Sequence, residues 1–548
     1  MLFQPLTTAS ERGGAPQTRG NRFSVWMAVF LLSSLAFSAI GTYSSWVGMA
    51  ASTLLRFAVC CVCAFVFKAV DSAKSDMRLR PAIFAAILGG VLLWQVAEKA
   101  VSYPTAMLPK GVMLALALLA IPAAFLLTYA ALQSCARQLK GALKEFIQQT
   151  TRFESLYLWI AFSVMTLACV LLYLNTNVFY ETVYQGKFVP YDVLFTSDSA
   201  VILQGNAYFD IYHVTNDLRQ PLFGLFAMPF VLPATALAKT LFFFPQAYPI
   251  LINLTQIFLV LVTILMIVRL LDLDLGVRPF AVLLLSVTYP VLLFSLNLEQ
   301  YVFAVFWLVL FLYLAVKQQQ GREIVFLAMA GSLVTSGVFF PFLSSEEKLS
   351  ARIRSIFKTL VLFFVIVILL NRQYVFLTGL SYFKHLVGSY GGTQIPLLEK
   401  VQQFLAMLES IFIRPETQWT TFSAHPAYLL SPVTGLHFGG LAVLLLAIVG
   451  FGLNYRNRFA QFSFLFVLLS VALHVVVGWG AIENGMTLYA YYYLWAYFSL
   501  IVLGLEKLLS PLKRWRLLVY GLAIVALAVV NFAAIADIVR FGLTHYPV

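Results

Sequence analysis

The sequence predicts an all-α polytopic membrane protein, and three observations predict it. Hydrophobic residues make up 61% of the 548 positions and charged residues only 11%, where a soluble domain is about half apolar and a quarter charged. Apolar runs of the length that spans a bilayer as helix, roughly 18–25 residues, recur from one end of the chain to the other. The runs lack the two-residue alternation of barrel strands, so their backbone polar groups must be satisfied inside helices.

The formal charge of +13 could suggest nucleic acid. The basic residues instead sit in short loops between apolar runs, where the positive-inside rule places them. The expected partner is therefore the membrane, with no nucleic acid. The five cysteines, Cys60, Cys61, Cys63, Cys135 and Cys169, show neither a disulfide framework nor metal-ligand spacing, and free Cys behaves as a small apolar residue. Residues 1–22 are polar, with Arg12, Arg19 and Arg22. The run that follows has no convincing small-residue cleavage site and reads as a first transmembrane helix preceded by a cytoplasmic tail.

With the N-terminus inside, helices are expected at about 23–41, 46–67, 81–97 and 112–133, forming an accessory region over 23–150. Arg78, Arg80, Arg137 and Lys140 then fall inside. A span at about 155–174 opens the core, 151–548, and carries the chain out to a long outer loop, 175–247. Within that loop, 221–243 is apolar but broken by Pro221, Pro229 and Pro233. It reads as a juxtamembrane or re-entrant element. Further spans are expected at about 248–268, 279–295, 301–316, 357–371, 433–453, 460–479, 487–505 and 515–537. The run 324–343, with Thr335-Ser336-Gly337 and Pro341 between basic loops, reads as a broken hairpin. A second long outer loop is 372–430, and 396–412 within it could lie along the membrane as an amphipathic helix. The bundle is thus roughly 13 spans plus a hairpin.

No repeat is visible, nor the matched helix breaks of a two-fold transporter. A Gly-rich phosphate loop, HExxH and GxSxG are absent from the sequence. The chemistry concentrates in 191–223, a polar segment holding Asp192, Asp198, Asp210, Asp217, His213 and Arg219 in an otherwise apolar chain. Polar groups near lipid are costly and tend to mark function.

Within that segment, Thr196-Ser197-Asp198-Ser199 follows the span at 155–174, and Arg219 stands two residues before Pro221-Leu222-Phe223. The stretch resembles the first extracytoplasmic loop of the GT-C glycosyltransferases. These polytopic enzymes use polyprenyl-phosphate sugars and include the protein O-mannosyltransferases and the lipid A aminoarabinose transferases. The resemblance covers about 150–540 and implies a GT-C-like bundle with juxtamembrane helices in the first outer loop. It also implies an acidic catalytic residue, here Asp198, and a basic donor-phosphate residue, here Arg219. Many members carry Asp-Glu where this chain has Asp198-Ser199, so the catalytic assignment and a divalent metal both stay open.

The residue types suit that reaction. A carboxylate can take the acceptor hydroxyl proton as the anomeric bond forms, and a guanidinium can hold the leaving phosphate through two hydrogen bonds. Asp192 is the alternative base. On the plainer reading Asp198 caps a short helix and Arg219 reaches to lipid headgroups. Glu299 and Gln300, in a short turn between two spans, join His213 as substrate-binding candidates. Lys384, His385 and Glu483 are further such candidates, and Arg372 is a second phosphate-binding one. Tyr489, Tyr491, Tyr492, Tyr493 and Trp495 read most simply as an interface belt, with stacking on sugar rings as the alternative.

The expected protein is therefore an integral-membrane glycosyltransferase, with no metal ligands assigned. It would sit in a bacterial inner membrane with its site on the extracytoplasmic face. Its donor would be a polyprenyl-phosphate sugar and its acceptor a glycan, lipid or protein. Two alternatives stand beside it: a surface-polysaccharide polymerase or ligase using lipid-pyrophosphate donors, and a non-enzymatic lipid-linked-sugar flippase.

Overall fold

A computed structural model of the chain describes residues 79–101, 110–180, 183–184, 187–188, 193–195, 199–204, 207–213, 216–343, 349–370, 394–422 and 424–548, with a few further positions that include Arg372 and Val387. The spans expected at 23–41 and 46–67 lie outside the described residues. By Cα packing, residues 1–134 with 368–371 form one compact unit, and 135–367 with 372–548 another. In the first, α1 (Leu79–Val101) packs on the opening half of α2 (Lys110–Gln148), where Ala85 and Tyr129 are buried.

The second unit begins with the end of α2 and α3 (Arg152–Asn175). Thr151 caps α3: its hydroxyl accepts from the Glu154 N–H at 3.2 Å, and Glu154 accepts from the Thr151 N–H at 2.8 Å. That reciprocal pair satisfies two N–H groups the helix leaves open. After the strand pair β1 (Val183–Tyr184) and β2 (Lys187–Phe188) come a short α4 (Ser199–Gln204), α5 (Phe223–Thr240) and α6 (Ala247–Leu270).

The α3–α6 contacts fix the direction of both helices. Glu154 meets Arg269 at 2.9 Å, while Cys169 accepts from the Asn253 amide at 3.1 Å. One number climbs as the other falls, so the helices are antiparallel. The chain therefore leaves α3 and enters α6 at the same end of the unit. The stretch between them, 176–246, therefore makes no net crossing as a whole, although α5 within it is long and apolar enough to cross a membrane.

Two helices follow, α7 (Arg278–Ser286) and α8 (Tyr289–Leu296), bent by 60° where one span was expected. Thr288 is extended, and Pro290 has no N–H to continue the ladder. The carbonyl freed at Val287 accepts from the Asn531 amide at 2.8 Å. α9 (Tyr301–Val316) returns the chain to the end where Tyr313 meets Phe146.

α10 (Arg322–Ser332) and a 3₁₀ segment, Val334–Phe342, form a hairpin. Phe326 and Phe339 both pack against Phe311 of α9, so the two arms run side by side with the apex at Leu333. The hairpin enters and leaves at the end that holds Glu145 and Arg269, through the contact of Gln319 with Glu145.

Helices α11 (Leu349–Leu369) and α12 (Leu397–Ser410) precede α13 (Phe438–Asn454) and α14 (Arg458–Val471), which runs into a π turn, Ala472–Val477. A 3₁₀ turn, Ile482–Tyr489, leads to α15 (Ala490–Leu508), and α16 (Lys513–His545) closes the chain. α12 is amphipathic as expected, but Phe404, Leu405, Met407 and Leu408 are buried against protein, chiefly α13 and the 482–489 turn. A Cβ at Gly440 would overlap the Leu405 carbonyl, and one at Gly450 would overlap that of Leu500.

The 372–430 segment also holds a hairpin the sequence reading lacked. β3 (Thr417–Phe422) pairs antiparallel with β4 (His425–Leu430), Thr417 opposite Leu430. The protein is thus mostly helical but not purely so. Among the described residues, seven helices are long and apolar enough to cross a membrane, or eight with the bent pair. α9 and α13 are apolar but shorter.

The unit has two chemically distinct ends. At one, Arg269 donates to Glu154, to the Phe146 carbonyl at 2.7 Å and to Thr150 at 2.9 Å, while Arg516 pairs with Glu506 at 2.9 Å and Asp274 at 3.2 Å. At the other, Asn177 donates to the Tyr546 carbonyl, Leu298 to Phe179, and Phe195 to Tyr428.

Glu154 and Arg269 are each at most 4% exposed. Removing one charge from a buried pair costs about 3–5 kcal/mol. Glu154→Gln is expected to destabilise the protein by that amount in denaturant titration, whereas Glu154→Leu combined with Arg269→Met is expected to recover most of it.

Candidate functional site

The site begins with the turn Asn297–Gln300 between α8 and α9, in which all four residues are buried. Gln256 of α6 organises it. Its amide donates to the Phe294 carbonyl at 2.5 Å and the Asn297 carbonyl at 2.7 Å, and its oxygen accepts from the Glu299 N–H at 3.2 Å. Ser199, which follows Asp198 in the chain, donates to the Asn297 side chain at 3.2 Å. The start of α4 is thereby tied to the same turn.

Glu299 is 1% exposed, and one carboxylate oxygen accepts from the Gln300 N–H at 3.2 Å. Burial pushes the Tyr208 hydroxyl well above its ordinary pKa, and the neighbouring Glu299 charge pushes it further. Tyr208 thus stays neutral near a buried carboxylate.

Asp217 supplies the second part. It accepts from the Arg219 N–H at 2.8 Å with one oxygen and from the Arg219 Nε at 2.8 Å with the other. This local clamp fixes the guanidinium, which is about a third exposed. The loop around it is bound to the α10 hairpin: Leu222 donates to Gly331 and Val334 donates to Arg219, both at 2.9 Å. Gln220 donates to the Tyr492 hydroxyl at 3.1 Å. Tyr492 lies within electrostatic range of both Glu299 and Arg219.

These pieces meet at a cavity of about 210 Å³, walled by Arg219, Gln220, Gln300, Thr335 and a set of apolar and aromatic side chains. Tyr301, Tyr489, Tyr492 and Tyr493 form the aromatic wall, with Trp479 and Phe466. The Gln300 Oε1 is buried without a hydrogen-bond partner. Buried acceptors are normally satisfied, so this one marks a place for a donor from a ligand or solvent. Behind the wall, His474 Nδ1 lies 2.8 Å from the Trp479 carbonyl and Nε2 lies 3.1 Å from the Tyr493 hydroxyl. A carbonyl only accepts, so Nδ1 carries the proton and Nε2 accepts from Tyr493.

The expected site residues fall into three groups. Arg219, Glu299 and Gln300 come together through Tyr492 and the cavity. His213 and Arg372 are placed elsewhere: His213 is buried in the 207–216 loop, and Arg372 is buried donating to the Asn216 carbonyl and facing the Tyr212 ring at 5.8 Å. Arg372 thus braces that loop from the 372–430 segment. Asp192, Asp198, Lys384 and His385 lie outside the described residues, as does the side chain of Glu483, whose backbone belongs to the 482–489 turn. Among the described residues no group of three or more His, Cys, Asp or Glu side chains could hold a metal.

Sequence reasoning missed one contributor and misplaced another. Asp217 was seen as one acidic residue among several, although its two-residue spacing from Arg219 is the signal for a local clamp. The tyrosines were read as an interface belt, but Tyr491, Tyr492, Tyr493 and Trp495 are each at most 5% exposed. Their number pointed to the membrane surface, and packing put them inside.

Burial lowers the His213 pKa below its ordinary value, an effect that the nearby Asp210 charge only partly offsets. The unfolded chain then binds a proton that the folded one refuses, so stability rises with pH there. Thermal stability is expected to fall as pH drops below about 6.5, and a His213→Asn variant is expected to lose that slope.

Comparison with protein-family models, with curated proteins and with solved structures finds no match to this chain.

Proposed function

We propose that the protein is a membrane-embedded glycosyltransferase that moves a sugar from a polyprenyl-phosphate donor to an extracytoplasmic glycan, lipid or protein acceptor. One observation carries the reading. The cavity combines a clamped guanidinium and two amides with walls that are otherwise apolar and aromatic. That pairing matches an isoprenoid phosphate, whose tail needs apolar surface and whose head needs a fork of donors. The basic end with Arg269, Arg278 and Arg516 would be cytoplasmic, which turns the end with Tyr546 and the β3–β4 hairpin outward.

In this scheme Asp198 takes the proton of the acceptor hydroxyl, with Asp192 as the alternative base. The hydroxyl oxygen bonds to the anomeric carbon from the face opposite the phosphate, and the carbon–oxygen bond to phosphate breaks with inversion. Arg219 receives the growing phosphate charge, held in place by Asp217. Glu299, beside Tyr208 and Tyr492, keeps negative charge near the sugar end, and the orphaned Gln300 oxygen accepts from a donor hydroxyl. The finer architecture proposed with it is the GT-C-like bundle of roughly 13 spans, in a bacterial inner membrane.

A flippase remains a second reading on one observation. Irregular backbone from both ends of the unit, the 216–222 loop and the Leu333 apex, meets at the cavity, as a path between two faces would require.

The test is transfer of label from radiolabelled polyprenyl-phosphate sugars by purified protein. Wild type is expected to transfer or hydrolyse a donor. Asp198→Asn is expected to lose about 10²–10⁴-fold in rate while remaining folded, and Arg219→Lys to retain more activity than Arg219→Ala. Normal turnover by Asp198→Asn would remove the base assignment. Lipid-linked sugar crossing vesicles without turnover would favour the flippase.

A further inference from the structure

A second, larger cavity of about 560 Å³ opens where the β3–β4 hairpin meets the last turns of α16. It falls within the size range of small-molecule sites, ~300–1,000 Å³. Its wall shares no residue with the cavity at Arg219.

The chemistry of this wall is distinctive. Asp537 pairs with Arg414 at 3.0 Å and with Arg540 at 3.6 Å, which holds acceptors and donors side by side. Glu416 adds a second carboxylate, and Thr417 donates to the Tyr428 hydroxyl at 2.8 Å. Two guanidiniums face two carboxylates, so the wall carries no net charge for an anion. Trp419 stands in the same wall, braced edge-on by Phe541 at 5.4 Å and His545 at 5.7 Å, and is still 49% exposed.

We propose that this groove binds a neutral saccharide, the glycan acceptor of the proposed transfer. A sugar ring has an apolar C–H face, which an exposed indole covers, and an edge of hydroxyls that both donate and accept. Adjacent carboxylate and guanidinium groups meet such hydroxyls pairwise. The identification as an acceptor rests on the transferase reading; the saccharide site itself does not.

Saturation-transfer NMR of the full chain in nanodiscs, with neutral trisaccharides of glucose, mannose or N-acetylglucosamine, tests the proposal without any lipid-linked donor. At least one probe is expected to show transfer from the protein. Trp419→Ala is expected to weaken its binding about tenfold, and Arg540→Ala, a largely exposed side chain, about threefold. If Trp419→Ala fails to fold, Trp419→Phe, which retains an aromatic ring for the contact with Phe541, and Arg540→Ala decide the matter. No signal from any probe, or affinity unchanged in the variants, overturns the site. Saccharide binding by protein that turns over no lipid-linked donor would keep the groove and remove the acceptor role. Transfer without saccharide binding would remove the groove alone.

Discussion

Backbone N–H and C=O groups away from water must find partners, and that constraint shapes the middle of this molecule. Helices satisfy themselves. The 216–222 loop and the Leu333 apex cannot, and they satisfy one another through Leu222 with Gly331 and Val334 with Arg219. The same accounting explains the bend between α7 and α8, where Asn531 donates to the Val287 carbonyl that the extended Thr288 leaves without a helical partner. At both places a side chain or a facing turn completes the pattern, and the cavity lies against the first of them.

Two buried glutamates show how differently a carboxylate can be kept. Glu154 is saturated: it caps α3 and accepts two hydrogen bonds from Arg269. Such a group serves as a fixed point. Glu299 instead lies in a turn, accepts from the Gln300 N–H and is close enough for its charge to act on Tyr208 and Tyr492.

Much of the helical plan was legible because hydropathy and charge report helices and their ends directly. The spans at 155–174 and 248–268 needed only the apolar run and the flanking basic residues, and the broken hairpin at 324–343 was marked by Gly337 and Pro341. The bend at Thr288 was missed because one proline near the middle of an apolar run is also compatible with a kinked continuous helix. The β3–β4 hairpin was missed because its strands lack clean alternation: most of β3 is exposed. For the site, the polar segment and the Glu299 turn stood out as costly groups in an apolar chain. The brace by Arg372 and the burial of the tyrosines depend on contacts across hundreds of residues, which local pattern does not carry.

The glycines at 440 and 450 have a mechanical meaning. Where a carbonyl of one helix occupies the space of a missing Cβ on another, the pair cannot slide without collision, so α12, α13 and α15 behave as one plate. Tyr489, Tyr492 and Tyr493 sit at the leading edge of that plate. The Leu333 apex, also in the cavity wall, is held differently, by the hydrogen bonds of Gly331 and Val334 and by the packing of the Phe226 and Leu222 side chains against Gly331. The cavity is thus walled on one side by helices locked backbone to backbone and on another by contacts that side chains make, so a change of side chain reshapes the second wall more readily than the first.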